Sequence, residues 1–474
     1  MTPSVALTAK NKSNCCRLYC KNISQPVNTA ALSQLYSKLK FPAILGGNSS
    51  VSSFSYWASE PKEIFEFKSD SKNPFDKLSK ILTKYKLSEN SENNLPKGIF
   101  CGGWVGYFAY ELGRFIEKIP VTSVDDLKMP LIRLCFYDKV LCYDHTGKTF
   151  WLIALQLPED TEGPNEKLEN LEQRLTHSEK ISVAHSAANF EKIDFSQVRS
   201  NMCQLYYRKA IEKIKHYIYD GDVYQVNFSQ RFESHYNANP IDLFHWQNWY
   251  NPSPYAAYID AGVFQIVSAS PEMFITINGR HIQTKPIKGT RPKTSDEYLN
   301  QKYFAELTNS VKEQAELNMI IDLERNDIAR ICIPGTRMVS QPRTIETYPT
   351  VFHAVATISG ELRDEINFCD ILKAMFPGGS ITGAPKVSSM KIINETEPTA
   401  RGVYTGSIGF IGLDGTSSLN IAIRTIIITN QKAYAQTGGG IVADSDADAE
   451  WDETLTKAKA LLAGIKYAGK SFSK

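Results

Sequence analysis

The stretch SPEMFITINGRHIQTKPIKGT, residues 270–290, carries the clearest folding signal in the chain. Two runs of alternating apolar and polar residues flank Asn278-Gly279, and this dipeptide between such runs is the strongest short-range signal for a β-hairpin. A turn centred on the pair places Glu272 opposite Lys285. The hairpin is therefore predicted to bring a carboxylic acid and Lys288 to the same open end of the two strands.

Lys288 is either a cation of a solvated basic turn or a reactive amine. An amine attacks only in its neutral form, and an ordinary lysine with a pKa of about 10.4 is neutral in about one copy in 2,500 at pH 7. Apolar Ile287 and the neighbouring cations Lys285 and Arg291 all favour a lower pKa. A lysine that binds pyridoxal phosphate is a third possibility. The residues alone leave all three open.

Strand signals recur through the second half of the chain. Examples are VYQVNFSQRF (223–232), VFQIVSAS (263–270), GSIGFIG (406–412) and NIAIRTIII (420–428), each of which predicts one strand. They mix with helical patterns without regular alternation, which favours an α+β fold with antiparallel sheets over a doubly wound α/β fold. A polar, acidic stretch ends the first part of the chain. We therefore expect an N-terminal region at 1–195 and a second region at 203–470.

The composition argues against several classes of partner and location. The net charge of +2 gives no reason to expect nucleic acid or a membrane as a partner. Nine scattered cysteines without zinc-type spacing predict free thiols in a reducing compartment, and hence a cytoplasmic protein. No apolar run approaches the roughly 18 residues that span a bilayer. The first 59 residues lack Asp and Glu, as transit peptides do, but a helical pattern begins near Thr29, so we expect a basic element of the fold.

Two predicted helices, at 310–331 and 446–465, each carry a glutamate beside an apolar stripe. These glutamates are Glu316 and Glu453, and each can form an ion pair with a lysine four residues away. The alternative is that both are oxygen ligands of Mg²⁺, which takes one or two carboxylates together with waters and an anionic substrate. The predicted buried stripe of the first helix contains Val311, Ala315, Met319 and Leu323.

Eight segments occur in one order, densely between residues 203 and 465. They are GDVYQVNFSQRF, SASPEMF, PIKGT, DLERNDIARICIPGT, FPGGSITGAPK, GSIGFIG, NIAIRT and GGGIVADSD…E…ETLTKA. This order resembles the chorismate-utilising enzymes, which include anthranilate, aminodeoxychorismate, isochorismate and salicylate synthases. The resemblance implies an α+β, anthranilate-synthase-like sandwich of two orthogonally packed antiparallel sheets, with helices on the outside.

The PIKGT segment separates two branches of that family. Anthranilate synthases have alanine where this chain has Lys288, whereas aminodeoxychorismate synthases have lysine, so the chain resembles the second branch. The resemblance implies that Lys288 adds covalently at C2 of chorismate while Glu272 protonates the departing C4 hydroxyl. Ammonia then adds at C4 to give 4-amino-4-deoxychorismate, on the route to 4-aminobenzoate and folate. The alternatives are an anthranilate synthase and a catalytically silent chorismate-binding subunit.

The same resemblance implies a cofactor and further site residues. Mg²⁺ is expected as the cofactor, held by Glu316 and Glu453, and Arg424 is expected to bind a substrate carboxylate with its bidentate fork. The other implied substrate-binding residues are His353, Thr290, Thr357, Gly378, Gly379, Ser380, Tyr404, Gly439, Gly440 and Lys457.

Two further expectations concern an ammonia source and an effector. The chain has no GxCxG motif of a glutamine amidotransferase, and the resemblance implies that a separate glutaminase subunit supplies ammonia in a heterodimer. PAILGGNSS (42–50) aligns where relatives form a tryptophan pocket, but Gly46, Gly47 and Asn48 do not match the effector motif. Tryptophan binding therefore stays open.

Overall fold

The computed structural model describes residues 14–26, 28–48, 50–68, 73–88, 95–181, 195 and 198–468. All nine cysteines are free thiols, as predicted. Within the described ranges, no helix has both the length and the apolar character that crossing a membrane requires.

Strands and helices are mixed in the described part of the chain without regular alternation. The strands are β1 (Cys15–Ile23), β2 (Ala43–Leu45), β3 (Phe54–Ala58), β4 (Glu63–Phe67), β5 (Lys86–Leu87), β6 (Gly103–Phe108), β7 (Ile132–Tyr137), β8 (Lys139–Asp144), β9 (Thr149–Gln156), β10 (Arg199–Ser200), β11 (Gln225–His235), β12 (Tyr255–Asp260), β13 (Gln265–Ser270), β14 (Met273–Asn278), β15 (His281–Lys285), β16 (Ile287–Pro292), β17 (Met338–Thr347), β18 (Val351–Glu361), β19 (Gly383–Ala384), β20 (Ser407–Gly412), β21 (Ser417–Asn420), β22 (Thr425–Thr429) and β23 (Lys432–Ile441). The helices are α1 (Thr29–Tyr36), α2 (Pro74–Leu82), α3 (Pro164–Ser178), α4 (Gln204–Tyr219), α5 (Pro240–Tyr250), α6 (Glu297–Asn309), α7 (Val311–Ala329), α8 (Phe368–Met375), α9 (Lys386–Thr396) and α10 (Ala447–Tyr467). Short 3-10 helices lie at Tyr110–Phe115 and Gly379–Ile381.

The strands form two large sheets, which confirms the predicted α+β class. The larger sheet runs β10-β11-β23-β22-β13-β12-β2-β3-β8-β9-β1-β5, with β19 beside β11, and the smaller runs β16-β18-β15-β14-β21-β20-β6-β7-β4, with β17 beside β18. Among these strands every pairing is antiparallel except that of β1 with β5. Both sheets contain strands from both predicted regions, because β12 pairs with β2 and β20 pairs with β6.

The main core lies between the two sheets, and a second core lies behind the larger one. Successive residues of a strand point to opposite faces. In β3, Tyr56 and Ala58 belong to the core that also contains Phe410 of the smaller sheet. Trp57, between them, packs into the second core, with apolar residues of α1, α3, α5 and α10. Both faces of the larger sheet are thus buried.

The chain changes sheets at short breaks between strands. β13 of the larger sheet is followed directly by β14 of the smaller one, and Glu272 lies in that break. The run NIAIRTIII predicted one strand, and this was wrong, because β21 ends at Asn420 in one sheet and β22 begins at Thr425 in the other. Arg424 lies in this second break with a φ of +49°. A continuous apolar run gives no sign of the change, since both sheets are buried.

The predicted hairpin is present, but its register differs. Gly279 is the first turn residue, with a φ of +60°, rather than the second. Glycine at the first position is the requirement of a two-residue turn in which only that residue has a positive φ. Met273, not Glu272, therefore pairs with Lys285. The different register changes the residue that pairs with Lys285, but Glu272 still lies at the open end of the hairpin.

The helix predicted at 310–331 is α7, but its buried face was predicted wrongly. Val311 is 79% exposed, and the described residues of α7 that are buried are Leu317, Ile320, Ile321, Glu324, Asp327 and Ile328. The spacing of apolar residues did not predict this face, because two of its buried residues, Glu324 and Asp327, are acids. The helices α4 and α10 lie where their sequences predicted them.

Candidate active site

Lys288 lies half-buried on β16, where four other segments meet it. Its Nζ donates to the carbonyl oxygen of Ser380 at 3.3 Å. Burial lowers the pKa of this amine, while the negative charges of Glu316 and then Glu272 oppose that shift. The neutral form is therefore more abundant than in an exposed lysine, as a nucleophile requires.

Glu272 lies immediately before β14, the first strand of the hairpin, and only 4% of it is exposed. Its Oε1 accepts a hydrogen bond from the Ile287 N–H at 3.3 Å. Burial raises the pKa of the carboxyl, and the interactions with the Ser380 hydroxyl and the Ile287 N–H oppose it most. Burial thus favours the protonated carboxyl beside an amine whose burial favours the neutral form, which is a pairing suited to proton transfer.

The turn at Gly378–Ser380 connects these two groups. Ser380 accepts from Lys288 through its carbonyl and interacts with Glu272 through its hydroxyl. The Gly379 N–H donates to Glu324 Oε1 at 2.9 Å. This amide is therefore already used within the fold, and the substrate-binding role of Gly379 stays a prediction. A Cβ on Gly379 would lie 2.4 Å from Leu323 Cδ2, which explains the glycine.

Arg424 supplies a cation near Glu272, and His353 supplies a neutral ring near Arg424. In the described part of the chain, the guanidinium of Arg424 makes neither a hydrogen bond nor an ion pair. Burial lowers the pKa of Arg424, and Glu272 opposes this. Burial and, second, the charge of Arg424 lower the pKa of His353 to about 3. His353 Nδ1 shares a 2.8 Å hydrogen bond with Thr290 Oγ1, and its buried Nε2 has no partner among the described residues.

The two predicted metal ligands both face Lys288, from α7 and α10. Glu316 and Glu453 each act electrostatically on that amine. The predicted ion pair between Glu453 and Lys457 is present at 2.6 Å, and Lys457 also donates to the Gly438 carbonyl at 2.8 Å. Glu316 forms no ion pair with its own helix neighbour in the ranges described.

The donor set is compatible with Mg²⁺. In the described ranges, no group of three His, Cys, Asp or Glu residues is arranged to hold a metal ion. Mg²⁺ needs no such cage, because it usually takes one or two carboxylates and completes its octahedron with water and an anionic substrate. Glu316 and Glu453 supply those two carboxylates. A Cβ on Gly439 would lie 3.0 Å from Glu450 Oε2 and 3.4 Å from Glu453 Oε1, so glycine keeps this approach open.

Some predicted site residues are not joined to this cluster by any contact described. Thr357 lies four residues along β18 from His353, about 13 Å away in an extended strand, and its hydroxyl bonds to Gln341 at 3.3 Å. The ring of Tyr404 stacks under the guanidinium of Arg401. A Cβ on Gly378 would contact Ile421, and a Cβ on Gly440 would contact Gln225. Their substrate roles stay predictions.

The sequence reasoning missed several acids that the structure places around the same site. Glu324 and Asp327 are buried on α7, and Lys386 pairs with Asp327 at 2.5 Å. Burial and the charge of Asp327 raise the pKa of Glu324 to about 7. Glu450 is buried one turn before Glu453. Acids on a helix are ordinarily assigned to its exposed face. The available signal was that Glu324 and Asp327 belong to the quoted segment DLERNDIARICIPGT.

A separate cavity of about 470 Å³ lies beside the stretch where a tryptophan pocket was considered. Ser52, Tyr255, Met273 and Lys285 line it, and Lys285 pairs with Glu346 at 3.2 Å. Tryptophan binding there stays a prediction.

Comparison with known proteins supports the family resemblance found in the sequence. A family model described as chorismate binding enzyme matches residues 47–463. Aminodeoxychorismate synthase component 1 of Bacillus subtilis is 40% identical over 400 residues, which cover 82% of each chain. Anthranilate synthase component 1 of Aquifex aeolicus is 36% identical over 404 residues, covering 85% of this chain and 81% of the relative. The crystal structure of anthranilate synthase component I from Streptococcus pneumoniae superposes with a TM-score of 0.73 at 29% identity, covering 87% of this chain and 92% of that one. The chain belongs to the family of chorismate binding enzymes.

Proposed function

We propose that the protein is the large subunit of an aminodeoxychorismate synthase, which aminates chorismate at C4. Lys288 carries this proposal, because it places an amine whose pKa is lowered by burial near the buried acid Glu272. The product, 4-amino-4-deoxychorismate, leads to 4-aminobenzoate and folate.

The reaction divides into two displacements. In the first, a bond forms between Lys288 Nζ and C2, the two ring double bonds shift, and the C4 hydroxyl leaves as water with the proton of Glu272. In the second, ammonia adds at C4, the double bonds shift back, and the bond between C2 and Nζ breaks. Glu272 takes up the proton that the incoming nitrogen loses, which restores both groups.

The other residues orient an anionic substrate. Arg424 offers an uncommitted guanidinium for a carboxylate, which such a group binds through two parallel hydrogen bonds. The buried Nε2 of neutral His353 offers one further hydrogen bond. Glu316 and Glu453 would hold Mg²⁺, and the ion would supply positive charge to the carboxylate on the substrate ring.

Anthranilate synthase is the second candidate. Relatives with that name are 36% identical, close to the 40% of the aminodeoxychorismate synthase from Bacillus subtilis, so overall similarity does not separate the two. Lys288 favours the first, because a reaction without a covalent enzyme adduct has no use for a desolvated lysine in this position.

The experiment is product analysis with chorismate, Mg²⁺ and ammonium, followed by an aminodeoxychorismate lyase. The wild type is expected to yield 4-aminobenzoate, and Lys288→Ala is expected to yield almost none. Anthranilate from the wild type would establish the second candidate instead. A wild type that consumes no chorismate would point to a silent subunit.

The ammonia source is tested with the same assay. The name component 1 of the relatives implies a separate partner, so we propose that a glutaminase subunit supplies ammonia. The purified chain is expected to use ammonium and not glutamine. Undiminished activity with glutamine, in a preparation that contains no second polypeptide, would contradict a separate glutaminase.

A further inference from the structure

Glu324 is a buried acid of α7 to which the proposed reaction assigns no role. It lies eight residues after Glu316, about 12 Å along the helix and about 80° further round the helix axis. Only 3% of Glu324 is exposed. A buried carboxyl is costly unless it forms hydrogen bonds, so its place in the fold needs a specific partner.

That partner is the backbone of the Gly378–Ser380 turn. Glu324 Oε1 accepts from the Gly379 N–H at 2.9 Å, whereas the buried Oε2 has no hydrogen-bond partner in the part of the chain described. The nearby ammonium of Lys386 is committed to Asp327 at 2.5 Å and to the Met375 carbonyl at 2.8 Å. The hydrogen bond from the Gly379 N–H is therefore the contact that offsets the burial of the Glu324 carboxyl.

The turn that Glu324 holds is the one that touches both reacting groups. Ser380, next in the chain after Gly379, accepts from Lys288 Nζ at 3.3 Å and interacts with Glu272 through its hydroxyl. Leu323 packs against the same glycine from the side, at the distance where a Cβ would collide. The pair Leu323-Glu324 thus fixes the turn in two directions.

We propose that Glu324 is a positioning residue that anchors the Gly379 N–H, so that Ser380 holds Lys288 and Glu272 in their reactive arrangement. This rests on the proposed function in taking Lys288 as the nucleophile. Loss of the anchor leaves a buried N–H unsatisfied and frees the turn to move. Small displacements of reacting groups can cost up to about 100-fold in rate.

The test compares Glu324→Gln with Glu324→Leu. Both variants remove the ionisable group and keep a similar size, but only glutamine can still accept from the Gly379 N–H. Asp322→Leu is the matched control, because Asp322 lies on the same helix, its side chain is 75% exposed, and its one ion pair among the described residues is with Arg325. Turnover is measured as chorismate consumption with saturating ammonium, together with the melting temperature of each variant.

We expect Glu324→Leu to lower kcat about 10- to 100-fold with KM for chorismate nearly unchanged. Glu324→Gln is expected to retain at least about half of the wild-type kcat, and Asp322→Leu nearly all of it. Equal kcat values for Glu324→Leu and Glu324→Gln would overturn the proposal, as would a Glu324→Leu variant that loses thermal stability alone. If the leucine variant does not fold, Glu324→Asp replaces it, since the shorter side chain withdraws the acceptor; full activity of that variant would overturn the proposal equally.

A second readout separates this proposal from the proposed function. The rate at which a small acylating reagent modifies Lys288 is followed by peptide mass spectrometry without any substrate. Glu324→Leu is expected to change that rate severalfold relative to Glu324→Gln, whichever product the enzyme makes. Identical labelling of Lys288 in the two variants would remove the link between Glu324 and the amine, while an anthranilate product would contradict only the proposed function.

Discussion

Two arginines of this protein, the buried Arg401 and the half-buried Arg424, differ in whether the fold pairs their charge. Arg401 donates two hydrogen bonds to the Glu397 carboxylate, at 2.9 and 2.7 Å. It also donates to the carbonyls of Ile381 and Asn227. The negative charge of Glu397 raises the pKa of Arg401 in spite of burial. Arg424 has no such partner among the described residues, and burial lowers its pKa.

We interpret Arg401 as a structural charge and propose that Arg424 is a functional one. Around Arg401, the Glu397 carboxylate also accepts from the N–H and hydroxyl of Ser229, so each charged group is satisfied within the fold. Around Arg424, the buried Nε2 of His353 and the amine of Lys288 remain uncommitted or weakly held. Buried groups left unsatisfied are costly, and they persist where a ligand completes them. The predictions below test this contrast.

The largest expected effect is the loss of activity in Lys288→Met. The substitution keeps the length of the side chain and removes the amine, so chorismate consumption is expected to fall about a thousand-fold or more. Stability is expected to stay the same or rise, because a desolvated cation has been removed. Lys293→Met, just beyond the same strand, is the control and is expected to retain activity. A Lys288→Met enzyme within tenfold of the wild type would contradict the assigned role.

The next effect is a difference in stability between Arg401→Met and Arg424→Met. Arg401→Met leaves the Glu397 carboxylate buried and unpaired, which is expected to cost about 3–5 kcal/mol of unfolding free energy. Arg424→Met is expected to cost less than about 1 kcal/mol and instead to raise KM for chorismate about 10- to 100-fold. Urea unfolding and steady-state kinetics measure the two. Equal losses of stability would erase the distinction drawn above.

A smaller effect is expected in the dependence on Mg²⁺. Glu316→Gln and Glu453→Gln each weaken one proposed ligand, so the Mg²⁺ concentration for half-maximal activity is expected to rise about 10-fold or more. Glu306→Gln, on the neighbouring helix α6, is a control without this effect. Metal dependence is read by titrating Mg²⁺ into enzyme treated with a chelator. Unchanged Mg²⁺ titrations in both variants would exclude these glutamates as ligands.

The smallest effect concerns His353 and pH. Its pKa falls from 6.5 to about 3 on folding, so the unfolded chain takes up a proton first as the pH drops. The folded state therefore loses stability as pH falls from about 6.5 towards 3. The melting temperature of His353→Asn is expected to fall less between pH 7 and pH 5 than that of the wild type. Parallel curves would mean that the folded ring takes up its proton over the same pH range as the unfolded chain, which would contradict the lowered pKa.

The sequence predicted the fold class and most elements, but not the points where the chain changes sheets. The period-two pattern predicts strands, but it does not show that NIAIRTIII is divided between two strands near Arg424. The residues on both sides of the break are apolar because the strands of both sheets are buried. The hairpin signal identified the turn at Gly279 but placed it one position away. Such a displacement changes partners without changing which end of the hairpin is open.

The sequence predicted part of the candidate site, and the residues that it did not single out are the acids Glu324, Asp327 and Glu450. Ordered motifs identified Lys288 and Glu272, which the fold does bring to one turn. Glu324 was missed because an acid in a helix is expected to face solvent, and only the packing of α7 against the Gly379 turn buries it. The use of the Gly379 N–H by Glu324 was equally invisible to the sequence, since it joins residues 55 positions apart.

The central claim is that Lys288 forms a covalent adduct with chorismate, and the most direct measurement is mass spectrometry of the enzyme quenched in the absence of ammonia. The wild type with chorismate and Mg²⁺ is expected to gain the mass of chorismate less one water, on the peptide that contains Lys288. Ammonium is expected to discharge the adduct, and Lys288→Met is expected to form none. A wild type that turns over chorismate without ever carrying this mass, or that carries it on another lysine, would contradict the claim.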